Sequence, residues 1–347
     1  MNLTKYYKKG YTGIDNLGNT CFLNSCLQVL NHTYEMNEIL NSKTDKQMKM
    51  NIPDTNILRE WNDLRAVMWS GNGVVSPNKF VHNIQQIAHI KNKDIFTGWA
   101  QNDMPEFLLF MIDCIHNSIS RGVTLKISGK LENKTDEIAV KCYSMLQEIY
   151  SKEYSEIMEL FFGVYMSELT SRDGSVIHVI KPESFFILDL PVLDGARIAS
   201  NIYECMDFFT KTEYLEGENA WFNEKTGKKE DIKKSIKFWN LPKILVISLK
   251  RFSPDGKQKL NSQIDFPLEY LDLSRYIQGY NASKYKYNLY GICNHSGGVM
   301  GGHYTAFVKH IDNKWIHFND THVEIVENPR NMITPLAYCL FYRIISS

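Results

Sequence analysis

No Cys-x-x-Cys pair occurs anywhere in the chain. Its seven cysteines, Cys21, Cys26, Cys114, Cys142, Cys205, Cys293 and Cys339, are widely scattered. An odd, dispersed set argues against a disulfide framework and for a reducing compartment. Charge excess is missing too: 39 Lys and Arg stand against 39 Asp and Glu. That balance removes the basic surplus expected of a nucleic-acid binder. There is no apolar run of about 18 residues, so nothing reads as membrane-spanning. The basic opening MNLTKYYKKGYTG leads into no apolar stretch, which excludes a secretory signal. No repeat period is visible. These absences set the expectation of a monomer inside the cell, in cytoplasm or nucleus, with no membrane and no nucleic-acid partner.

What is present is ample apolar material. Across 347 residues, 44% hydrophobic and 22% charged content suffices for a full core without disulfide or metal staples. To about Ser120 the chain reads as helical. Leu23, Cys26, Leu27 and Leu30 follow helical spacing, with Asn19 or Thr20 as N-cap. A second helix starts near Asp103, with Pro105 in its first turn, Glu106 three residues after the cap, and a stripe of Phe107, Met111, Cys114 and Ile115. Residues 121–160 read as loop plus a helix around Glu137–Tyr150.

From about Phe161 the pattern turns to short β-like runs, FFGVYMSEL, SVIHVI and SFFILDL. The Lys-rich stretch from Lys211 to Lys237 reads as an exposed hairpin or loop. Ile244–Leu249 reads as a buried strand. His303–His310 and Lys314–Phe318 read as a hairpin turning at Asp312-Asn313. Helices first and strands later indicate an α+β architecture.

Cys21 follows a Gly-Asn-Thr turn at the start of the first helix. Backbone N–H groups there favour an anion and lower a thiol pKa. A lone cysteine at such a place is more often a packed core thiol. A cysteine nucleophile also needs a base and an orienting partner. His303, after Gly301-Gly302, is the candidate base, and Asn319 or Asp320 could hold its ring, giving a Cys-His-Asn set. A plain two-residue turn at Asp312-Asn313 places Ala306 opposite Asn319, so a bulge or a larger turn is needed. His310, His317 and His322 are too scattered in side-chain direction for a metal site.

The segments that carry these residues resemble the ubiquitin-specific protease family. Gly13-Ile-Asp-Asn-Leu-Gly-Asn-Thr-Cys21-Phe-Leu-Asn-Ser is similar to its cysteine box. Gly301-Gly-His303-Tyr304, then Trp315 to Phe318-Asn319-Asp320, is similar to its histidine box. Gln101-Asn-Asp103-Met-Pro-Glu106-Phe107, Glu183-x-Phe185 with Leu188-Asp-Leu-Pro191, Leu249-Lys-Arg-Phe252 and Phe266-Pro267 resemble further family segments, all in family order. The resemblance implies one catalytic domain, 1–347, of papain-like fold. It implies a helical thumb at about 11–160, β-rich fingers at about 161–238 and a β palm at about 239–347.

The resemblance also implies a thiol protease acting as a deubiquitinase, with ubiquitin and ubiquitinated proteins as partners and no cofactor. Cys21 would attack the carbonyl after the last glycine of ubiquitin, and His303 would move the protons. Asn319 matches the third catalytic position, Asp320 an assisting neighbour, and Asn16 an oxyanion donor. Asp103 and Glu106 match acids that hold the basic Arg-Leu-Arg-Gly-Gly tail. Phe252, His295 and Tyr304 match the channel around Gly-Gly. Many relatives carry a zinc in the fingers. Here Asn223 and Thr226 replace one cysteine pair and Glu168–Asp173 holds no cysteine, so no metal is expected. The alternatives are a catalytically weak ubiquitin-binding scaffold of the same fold, and a hydrolase of another ubiquitin-like modifier.

Overall fold

The computed structural model describes residues 2–93, 95–98, 100–253, 255–298 and 301–345. Its N-terminal part is helical: α1 (Cys21–Asn31), α2 (Tyr34–Asn41), α3 (Asp54–Ser70), α4 (Asn78–Ile90), α5 (Met104–Ile119), α6 (Lys134–Lys152) and α7 (Glu156–Phe161). Two short strands, β1 (Gly13–Ile14) and β2 (Val74–Val75), pair in parallel. Every residue of α1 is buried. Its polar residues Asn24, Ser25, Gln28 and Asn31 are buried along with the apolar ones, which makes it a central helix rather than a surface one. Leu23, Leu27 and Leu30 share one core with Trp61, Phe107 and Met111. α6 begins with a reciprocal capping box between Asn133 and Asp136. No helix among the described residues is long and apolar enough to cross a membrane.

The β-like run expected from Phe161 starts two residues later, because Phe161 still closes α7. Strands β3 (Gly163–Ser171) and β4 (Ile177–Phe185) form a hairpin. They are followed by β5 (Ile187–Pro191), β6 (Leu193–Asp194), β7 (Arg197–Ile198) and α8 (Ile202–Thr210). Then come β8 (Glu213–Leu215), β9 (Trp221–Asn223), β10 (Lys228–Glu230) and β11 (Ile232–Asn240). The order β4-β3-β11-β8 makes a four-stranded sheet.

The Lys-rich stretch does contain a hairpin, β9–β10. Its second half is nonetheless β11, a strand inside the sheet rather than a loop. Lysine is depleted in strands, which hid this one. Here Ile232, Phe238 and Trp239 are buried. The intervening lysines run along the sheet and reach acids, Lys237 to Glu168 at 3.0 Å and Lys234 to Glu213 at 3.7 Å.

Both tips where the family resemblance places a zinc are closed here by side-chain hydrogen bonds. Asp173 Oδ1 accepts from Ser171 Oγ at 2.5 Å, Ser175 N at 3.0 Å and Ser175 Oγ at 2.8 Å. Glu230 Oε1 accepts from Asn223 Nδ2 at 3.0 Å and Thr226 Oγ1 at 2.6 Å. Amide and hydroxyl donors aimed at a carboxylate do not make a tetrahedral thiolate cage. These residues do not fit zinc. Among the described residues no group of three or more His, Cys, Asp or Glu could hold a metal ion. The expected result is one thermal midpoint with and without a chelator, read by differential scanning calorimetry. A drop beyond about 2 °C, the size of a loss of roughly 1 kcal/mol in a chain this long, contradicts it.

The remaining strands are β12 (Ile244–Lys250), β13 (Leu271–Asp272), β14 (Lys286–Gly298), β15 (Gly301–Lys309), β16 (Trp315–Asn319), β17 (His322–Val326) and β18 (Ala337–Ile344). They order as β17-β16-β15-β14-β18-β12-β5, with β13 paired to β14. Only β5 and β12 run parallel in this sheet. Both faces are covered. Val246, Cys293, Ala306 and Phe341 join the core under the N-terminal helices, while Leu245, Ile247, Ile292 and Leu340 pack with Cys205 and Met206 of α8. Two buried faces explain why Ile244–Leu249 is apolar without alternation.

Candidate active site

The segment before α1 is built to hold a loop against the β16–β17 turn. Gly18 and Asn19 have φ of 102° and 56°, left-handed positions that reverse the chain into the helix. Thr20 sits at the N-cap position but does not cap; its Oγ1 accepts from Leu17 N at 3.0 Å. Asn16 Oδ1 accepts from the N–H groups of Gly18 and Thr20 at 3.0 and 3.1 Å. Its amide Nδ2 donates to Asp320 Oδ2 at 2.9 Å. The other carboxylate oxygen, Asp320 Oδ1, accepts from Asn24 Nδ2 of α1 at 2.8 Å. A backbone bond, Ile14 N to Asp320 O at 2.9 Å, completes the seam. Gly13 is required here, since a Cβ would lie 2.6 Å from Thr321 O.

Cys21 opens α1 and is only 2% exposed. Burial pushes its thiol above the ordinary value, and the neighbouring Tyr304 backbone N–H is the main influence pulling it back down. The nearby Asp320 carboxylate raises it further, and the first helical amides oppose weakly. The expectation of a thiol acidified by the helix start is therefore corrected: desolvation outweighs the helix N-terminus. Its consequence is measurable. The rate of Cys21 alkylation by a small neutral reagent should still be climbing at pH 9, the ordinary thiol value. A plateau reached below pH 7 contradicts that.

His303 precedes Tyr304 on β15, and Tyr304 packs in the same core as Cys21. His303 Nε2 lies 2.7 Å from Asn319 Oδ1. The hairpin explains how. His310 N bonds Lys314 O at 2.8 Å, leaving a three-residue loop with Asn313 at φ 64°. Ala306 then pairs with Phe318, not with Asn319. Continued by one residue, this register sets Asn319 across from Thr305. Thr305 shares a side of the strand with His303, whereas Ala306 does not. The larger turn supplies the change of face, and the diagonal reach to His303 needs no bulge.

Beside this point a cleft of about 770 Å³ is lined by Gln101, Asp103, Phe252, His295, Tyr304 and Tyr338 among others. Asp103 stands at the N-cap of α5 without capping it. Its Oδ1 accepts from Tyr304 Oη at 3.0 Å. Burial pushes the Asp103 carboxyl up, offset by the Tyr304 and Tyr338 hydroxyls, and the Glu106 charge adds to the rise. Glu106 itself is exposed. The His295 ring packs on Tyr304 at 4.6 Å, on Tyr338 at 5.8 Å and on Phe252 at 5.9 Å between centroids. Burial lowers its pKa to about 4, so it is neutral. Gly302 cannot carry a side chain: a Cβ would lie 2.2 Å from His295 Nε2 and from Ser296 O. A larger hollow of about 1040 Å³ near Phe266, Trp315 and Arg330 touches none of these residues.

Sequence reasoning missed four supporting residues. Asn24 falls within the cysteine segment, one turn after Cys21, where helical spacing could have flagged it. Arg251 is fully buried and donates to the carbonyls of Ala337, Leu260 and Ser262 at 2.7, 3.1 and 2.7 Å, fixing the loop that carries Phe252. Lys259 Nζ donates to His295 O at 2.5 Å. Tyr338 had no local signal at all.

The family model described as ubiquitin carboxyl-terminal hydrolase matches residues 12–342. Human "Ubiquitin carboxyl-terminal hydrolase 2" is 37% identical over 352 residues, covering 97% of this chain and 56% of that protein. Drosophila melanogaster "Ubiquitin carboxyl-terminal hydrolase Usp2" is 32% identical over 342 residues, covering 96% and 35%. The chain thus spans about half the length, or less, of these curated relatives. Among solved structures, a SAGA DUB module of Ubp8, Sgf11, Sus1 and Sgf73 "bound to monoubiquitin" matches at TM-score 0.74 and 25% identity, over 98% of this chain and 70% of that one. The same module "bound to ubiquitin aldehyde" matches at 0.73 and 25%, over 100% and 72%. A match from Thr12 to Tyr342, relatives above 30% identity and one shared α+β papain-like fold agree: the chain belongs to the ubiquitin carboxyl-terminal hydrolase family.

Proposed function

We propose that this chain is a deubiquitinase that cleaves the isopeptide or peptide bond after the C-terminal Gly-Gly of ubiquitin, with Cys21 as nucleophile. The observation that carries the reading is the His303–Asn319 bond of 2.7 Å, made from the strand whose next residue, Tyr304, shares a core with Cys21. Asn319 Oδ1 only accepts, so Nε2 carries the ring proton and Nδ1 keeps its lone pair. Nδ1 takes the thiol proton as sulfur attacks the scissile carbonyl. An Nδ2 hydrogen of Asn16, not used by Asp320, is available to the oxyanion, a contribution of about 2.7–4 kcal/mol. The imidazolium then protonates the leaving amine, and the C–N bond breaks to leave an acyl thioester. Water, deprotonated by His303, releases the acid and the thiol.

Specificity follows from the cleft. Asp103 and Glu106 offer negative charge to a basic tail. In this reading the packed rings of His295, Tyr304 and Phe252 line the path of the Gly-Gly. The neighbours whose titles name monoubiquitin and ubiquitin aldehyde support ubiquitin as the partner. In this reading the helical part to about residue 160 is the thumb and 161–238 the fingers. The palm is 239–347, the catalytic unit is a monomer, and neither a cofactor nor nucleic acid takes part. Ubiquitin carrying a C-terminal fluorogenic amide tests it. Turnover by the wild type, abolished in Cys21→Ala, is expected; equal release by both contradicts it.

A further inference from the structure

Gln101, in the loop before α5, reaches across the cleft to β15. Its Nε2 donates to Gly302 O at 2.5 Å, and its Oε1 accepts from Gly302 N at 2.6 Å. One primary amide thus engages both backbone groups of one residue, as a neighbouring strand does. Among the described residues no strand pairs with that edge of β15 before Ala306. β14 pairs with β15 from Gly301 to Val308, whereas β16 pairs only from Ala306 to Lys309. Backbone groups alternate in direction along a strand. His303 O points toward β14, where Ser296 Oγ donates to it at 3.2 Å. Gly302 and Tyr304 therefore face the open edge, and Tyr304 shares a core with Cys21. The edge runs from the mouth of the cleft to the nucleophile.

An extended peptide moving toward Cys21 must follow this edge, and the way such a peptide docks is strand addition through main-chain hydrogen bonds. Its first partners are the two Gly302 groups that Gln101 already occupies. Everything around this contact is trimmed for backbone approach. Gly302 has no room for a side chain, and a Cβ on Gly301 would meet Gln101 Oε1 at 3.2 Å. Gln101 is exposed, so it can turn out with water replacing its partners.

We propose that the Gln101 side chain is a displaceable cap: it mimics the incoming tail on the β15 edge of the free enzyme and must leave before the tail binds. This rests on the function proposed above. A cap that competes with substrate lowers apparent affinity by the fraction of molecules that hold it. Two solvated hydrogen bonds correspond to a change of about three- to tenfold.

The test uses Gln101→Ala and Gln101→Asn, whose shorter amide cannot span both groups, in the full chain labelled with 15N-glycine. Expected are faster hydrogen exchange at the Gly302 amide and a KM for the ubiquitin C-terminal amide about three- to tenfold lower, with kcat within about twofold. A raised KM, or an unaltered Gly302 exchange rate, overturns the cap. Wild-type inertness toward ubiquitin while Gly302 exchange still responds strikes the proposed substrate, and with it the tail-binding half of this inference. The two failures are therefore told apart.

Discussion

Asn319→Ala is expected to lower kcat about 100-fold and to slow Cys21 alkylation at neutral pH with it. Both losses have one cause. The 2.7 Å bond to Oδ1 is the ring contact that fixes which nitrogen of His303 carries the proton. Without it the imidazole samples the wrong tautomer and the wrong rotation, and general-base catalysis of about 10²–10⁴-fold is partly lost. The effect is large here because burial keeps the Cys21 thiol protonated, so sulfur cannot act without a base. Asn319→Asp keeps the acceptor and adds charge opposite the imidazolium, so it should restore most of the rate. Steady-state kinetics and alkylation rates on the three proteins check this, and wild-type kinetics in Asn319→Ala would falsify the assignment.

Asp320→Ala should also lower kcat by about 100-fold, but with the opposite alkylation signature. Its two carboxylate oxygens hold the amides of Asn16 and Asn24 at 2.9 and 2.8 Å. Removing them loosens Asn16, the oxyanion donor of the proposed mechanism, and deleting such a donor outright costs about 10²–10³ in kcat. It also takes one acceptor from buried Asn24, about 1–3 kcal/mol of stability. The Asp320 charge itself raises the Cys21 thiol. Its loss makes the thiol slightly more acidic, so alkylation should hold or quicken while turnover falls. Slower alkylation in Asp320→Ala contradicts the division of labour between the two neighbours. On sequence grounds Asp320 was only an assisting position. The structure makes it the knot between the loop before α1 and the β16–β17 turn.

Much of this site was written in local pattern. The helix α1 and the turn before Cys21 could be read because helical spacing and glycine report backbone geometry directly. The same holds for the glycines before His303 and the apolar β12. What escaped was decided by register and burial. Whether Asn319 faces His303 depends on one residue of loop length at Ile311–Asn313, a parity that sequence does not state. The Cys21 thiol was expected to be acidic because the helix end is visible in sequence, whereas the burial that outweighs it is not. β11 was hidden because its lysines look like a loop until acids on neighbouring strands are placed beside them. Arg251 and Gln101 act on backbone atoms of segments far away in the chain, and backbone partners leave no mark in a sequence.

The most direct measurement is covalent capture. Ubiquitin bearing a thiol-reactive group at its C-terminus should form a single adduct with the full chain, mapped by mass spectrometry to Cys21, absent in Cys21→Ala and strongly slowed in His303→Ala. An adduct on any other cysteine, or binding of ubiquitin with no bond formed, would show that the sulfur at the start of α1 and the imidazole on β15 do not work as one unit.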